Sequence, residues 1–64
     1  MNAQYDITEV PANIESAIRE AAQLLRCSKY PGVLADEVFD NYPEIAREYP
    51  WDLVRAYAAH IFAR

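Results

Sequence analysis

Apolar residues recur along most of this chain at the three- and four-residue spacing of a helix face. With residues placed about 100° apart, Ile14, Ala17, Ile18, Ala21, Ala22, Leu24 and Leu25 fall in one stripe, and Glu15, Arg19, Gln23 and Arg26 lie opposite. Pro11 suits a first helical turn, where its missing N–H costs nothing, and Glu15 precedes Arg19 by four residues in the favourable order. A first helix over about 11–28 is predicted.

Leu34, Ala35, Val38, Phe39 and Tyr42 repeat the pattern and predict a second helix over about 31–41, with Asp36, Glu37 and Asp40 off its stripe. Pro43 suits the first position of a short third helix over about 43–49, capped by Asn41 or Tyr42 and anchored by Ile45 and Tyr49. Its Glu44 would meet the positive end of the helix dipole. Pro50 opens a fourth helix over about 50–63, with Asp52 in the first turn and Trp51, Val54, Tyr57, Ala58, Ile61 and Phe62 facing inward. Pro31, Pro43 and Pro50 each follow a tyrosine, and proline disfavours helical backbone in the residue before it. The Tyr-Pro steps therefore divide the chain.

Residues 1–10 differ, since Tyr5, Ile7 and Val10 stand among Asp6, Thr8 and Glu9. They predict an extended arm, and a true strand there would need a partner chain to satisfy its backbone. The whole chain is expected to form one small all-α domain of three or four short helices. Ile14, Ile18, Leu25, Leu34, Val38, Phe39, Trp51, Val54, Ile61 and Phe62 are its predicted core.

Composition narrows what such a domain can do. A chain of 64 residues buries only about 60% of its unfolded surface, which leaves little room for an enclosed cleft. With 53% hydrophobic and 25% charged residues it is too apolar for intrinsic disorder. Cys27 is the only cysteine, so no intrachain disulfide forms, and with His60 alone beside it no four-ligand zinc site can be built. A cytoplasmic setting is expected, with no signal peptide in the first ten residues and no membrane span.

Catalysis has little to rest on. No glycine-rich phosphate loop is present, Ser16 and Ser28 lie in no nucleophile elbow, and no third group is identifiable to orient a Cys27–His60 pair. A metal at Asp36, Glu37, Asp40 and Glu44 is disfavoured because the turning glycine of a calcium loop is missing. Neither an enzyme nor a cofactor is expected.

The net charge of −4 is unevenly spread. Between Val33 and Pro50, Asp36, Glu37, Asp40, Glu44 and Glu48 face only Arg47, so this segment carries the whole excess while the flanks nearly cancel. An acidic block on two consecutive short helices suits a basic protein surface, including one that receives nucleic-acid phosphates, because complementary potential speeds encounter and sets orientation. Tyr42, Tyr49 and Trp51 border it and are candidate interface anchors. Leu53, Ala56, His60 and Ala63 make a second stripe on the fourth helix, where small side chains would admit another helix and self-association as a homodimer.

The expected function is therefore non-enzymatic binding: a small acidic inhibitor or modulator of the phage or mobile-element, anti-defence kind, docked on a larger protein that handles nucleic acid. One alternative is a small helical DNA-binding regulator or antitoxin-like dimer using Arg19, Arg26 and Lys29, although six scattered bases disfavour direct nucleic-acid binding. The stretch from Tyr42-Pro43 through Asp52-Leu53 to Arg55-Ala56-Tyr57-Ala58-Ala59 resembles the C-terminal end of certain small antitoxin-like helical domains. The glycine-containing upstream part of that family is absent, and the chain is not assigned to it. A structural subunit of a larger assembly is the other alternative.

Overall fold

The computed structural model describes residues 7–63. They form four helices: α1 Ala12–Leu25, α2 Pro31–Asn41, α3 Pro43–Glu48 and α4 Trp51–Ala63. No strand occurs among the described residues, so the fold is all-α. Residues 1–6 of the expected arm lie outside the described residues; Ile7 to Glu9 form turns and a bend, and Val10 packs against the core.

Proline and tyrosine shape the helix entrances as the sequence predicts. Pro31 and Pro43 occupy the first turns of α2 and α3, with Tyr30 and Tyr42 as the residues before them. Neither tyrosine caps its helix with a side-chain hydrogen bond, and proline lessens the need by removing one of the unpaired N–H groups of the first turn. At α4, the Pro50 carbonyl accepts from the backbone N–H groups of Leu53 and Val54 at 3.1 and 3.2 Å.

The core draws on every helix. Ile14, Ala17, Ile18 and Ala21 of α1 meet Leu34, Ala35 and Val38 of α2, with Ile45 from α3 and Leu53, Val54, Tyr57, Ala58 and Ile61 from α4. Helix α2 packs against each of the other three. No buried side-chain nitrogen or oxygen among the described residues lacks a hydrogen-bond partner.

Two expectations about α1 are corrected. The helix stops at Leu25 and does not run to 28, because Arg26 adopts the left-handed conformation at φ 53 and ψ 38. Its N–H reaches the Gln23 carbonyl at 3.3 Å, and Cys27 N–H reaches the Ala22 carbonyl at 3.1 Å, the paired closure of a Schellman motif. Arginine stands where glycine is usual, at a cost of roughly 1–2 kcal/mol for a left-handed L-residue.

Leu25 is also not a core residue. It continues the line of Ile14, Ile18 and Ala21, yet it is 37% exposed, and Leu24 is 66% exposed. Periodicity states which side of a helix faces inward, but the neighbouring helices decide how far along it is covered. Phe39, Trp51 and Phe62, predicted for the interior, are partly buried and pack around the core's rim.

Candidate protein-docking face

The acidic residues of α2 share one side of the helix with an apolar one. Asp36, Glu37 and Asp40 follow Val33 by three, four and seven residues, which places all four on the side turned away from Leu34, Ala35 and Val38. Val33 is 51% exposed, and Tyr30, just before the helix, is 62% exposed. Asp36 and Asp40 are exposed, and Glu37 is half-buried. On α3, Glu44 and Glu48 are exposed one turn apart.

These carboxylates are not equivalent. Asp36 accepts a hydrogen bond from the Trp51 indole N–H at 2.8 Å, which joins α2 to the head of α4. Glu37 accepts from the Asn41 side-chain amide at 2.6 Å along the same helix. Both acids thus hold local geometry as well as charge. Asp40, Glu44 and Glu48 lie out in solvent.

The predicted aromatic edge has an internal role. Tyr42, Tyr49 and Trp51 are half-buried and pack against the core, not outward as projecting anchors. The Tyr42 hydroxyl donates to the Glu20 carboxylate of α1, tying the junction of α2 and α3 back to the first helix. The rings still border the acidic side, since Trp51 reaches Asp36 and Tyr42 closes α2.

The proposed self-association stripe is not a continuous exposed face. Leu53 is buried in the core, Ala56 and His60 are half-buried, and Ala63 alone is exposed. Leu53 lies one and four residues before Val54 and Tyr57, near enough to their side of α4 to be enclosed with them.

Val33, which helical periodicity places in no site, and Tyr30 are the exposed apolar members of this side. The signal for Val33 was present, because an apolar residue on the polar side of an amphipathic helix has no core to fill. Among the described residues, no group of three or more His, Cys, Asp or Glu is arranged to hold a metal ion. No described helix is long and apolar enough to cross a membrane. Comparison with protein-family models, curated proteins and solved structures found no match.

Proposed function

We propose that this protein is a non-enzymatic binding module, an acidic inhibitor or modulator that docks the α2–α3 side on a basic surface of a larger, nucleic-acid-handling protein. The observation that carries this reading is the shared face on α2, where exposed Val33 stands beside Asp36, Glu37 and Asp40. An apolar contact excludes water at the centre of an interface, and surrounding acids supply orientation and encounter rate. The concentration of negative charge between Val33 and Pro50 gives that steering a direction.

The test is a triple charge reversal, Asp40→Lys with Glu44→Lys and Glu48→Lys, at acids exposed to solvent. Affinity capture from a lysate of the source cells, with wild type and variant in parallel, should retain a basic partner with the wild type only. Its retention should fall as salt is raised. A partner held equally by both forms rejects the acidic-face reading, and salt-dependent binding of duplex DNA by the purified chain would favour a DNA-binding regulator instead.

A further inference from the structure

On the α1–α4 side, a second feature carries the opposite charge. Arg19 and Arg26 line a recess of about 380 Å³ together with Ala22, Gln23, Ser28 and Phe62. That volume lies within the range of small-molecule sites. The Arg19 guanidinium sits over the Phe62 ring, 5.7 Å from its centroid, and its Nε donates to Glu15 at 3.0 Å. Arg19 is therefore contacted from two sides, and its side chain is still about half exposed at 51%.

Arg26 reaches the recess from the left-handed position that ends α1. Glycine would fit that backbone with less strain, but it would bring no guanidinium. Arg19 and Arg26 both line this recess, and a guanidinium suits an oxyanion because it presents a planar fork of N–H donors matched to carboxylate or phosphate. Ala22 and Phe62 add an apolar wall, and Gln23 and Ser28 add hydrogen-bonding groups.

We propose that this recess binds a small organic anion, a carboxylate or phosphate monoester whose apolar body lies against Phe62 and Ala22 while Arg19 and Arg26 hold the charged end. The site is separate from the acidic α2–α3 side, and it stands whether or not that side docks a partner.

The experiment is an NMR titration of the full chain with phenyl phosphate, benzoate and inorganic phosphate, read at backbone amides. Saturable shifts centred on Ala22, Gln23, Arg26 and Ser28 are expected. Phenyl phosphate and benzoate should each bind more tightly than inorganic phosphate, and the tighter of the two identifies the anion. Arg26→Gly separates the side chain's two effects: its melting temperature should rise, because glycine suits the backbone, while affinity for the tighter aromatic anion falls about tenfold. Arg19→Gln should weaken binding similarly. Unchanged affinity in Arg26→Gly, equal binding of inorganic phosphate, or shifts that rise linearly and extend to Arg47 and Arg55 would each overturn the proposal.

Discussion

The indole N–H of Trp51, the first residue of α4, donates to the carboxylate of Asp36 in the middle of α2 at 2.8 Å. Trp51 thereby fixes how the last helix enters against the second, in a fold where α2 touches every other helix. A charged acceptor makes such a bond stronger than a neutral one, although exposure reduces its net value. Asp36→Ala should destabilise the protein by about 0.5–1.5 kcal/mol in urea denaturation, while Asp36→Asn, which keeps an acceptor oxygen, should lose less. A double-mutant cycle with Trp51→Phe should show coupling between the two positions; strict additivity would mean the contact contributes nothing.

Gly32 lies in the first turn of α2, directly beneath the Trp51 ring. A Cβ built there would meet Trp51 Cη2 and Cζ2 at 3.6 Å, ordinary van der Waals contact, and the backbone needs no positive φ. Gly32→Ala should therefore stabilise the chain by up to about 1 kcal/mol through helix propensity and lower unfolded-state entropy. In a domain of this size that amounts to roughly 4–8 °C in melting temperature, readable by circular dichroism. A fall in melting temperature would show that the Trp51 ring cannot accept the added methyl.

The Tyr42 hydroxyl and Glu20 carboxylate bridge the α2–α3 junction to α1 across 22 positions of sequence. Tyr42→Phe keeps the packed ring and deletes only the donor. A loss of about 1 kcal/mol is expected, and Glu20→Ala should reproduce most of it. If Tyr42→Phe is neutral while Tyr42→Ala is severe, the ring alone matters.

Helix α1 offers a contrast between two residues of similar size. Ile18 is fully buried, whereas Leu24, on the same predicted stripe, is 66% exposed. Ile18→Ala should cost about 2–5 kcal/mol, against a total stability on the order of 3–10 kcal/mol for a chain of this length. That variant should be partly or wholly unfolded at 37 °C. Leu24→Ala should stay within about 0.5 kcal/mol of wild type, and a large loss there would mean that its side chain has a contact in solution that this fold does not show.

Much of the architecture is legible in the sequence. The Tyr-Pro steps locate three helix entrances because proline restricts the residue before it and is tolerated in a first turn, and both effects are local. The spacing of Ile14, Ala17, Ile18 and Ala21, and of Leu34, Ala35 and Val38, identifies buried faces because helical periodicity needs only neighbouring residues. The position of the net negative charge between Val33 and Pro50 is likewise a fact of sequence.

What sequence alone left undecided depends on where one helix meets another. Leu25 continues its stripe but emerges past the cover of its neighbours, and Leu53 leaves a supposed outer stripe because the core closes over it. Arg26 ends α1 through backbone hydrogen bonds that no residue preference announces. Asp36 and Glu37 belong to the acidic block, yet only the packed structure gives them Trp51 and Asn41 as partners. Phe62 is far in sequence from Arg19 and Arg26, and the recess the three share exists only because α1 and α4 lie side by side. Periodicity is a property of one segment, whereas burial and electrostatic neighbourhood belong to pairs of segments, and tertiary packing chooses the pairs.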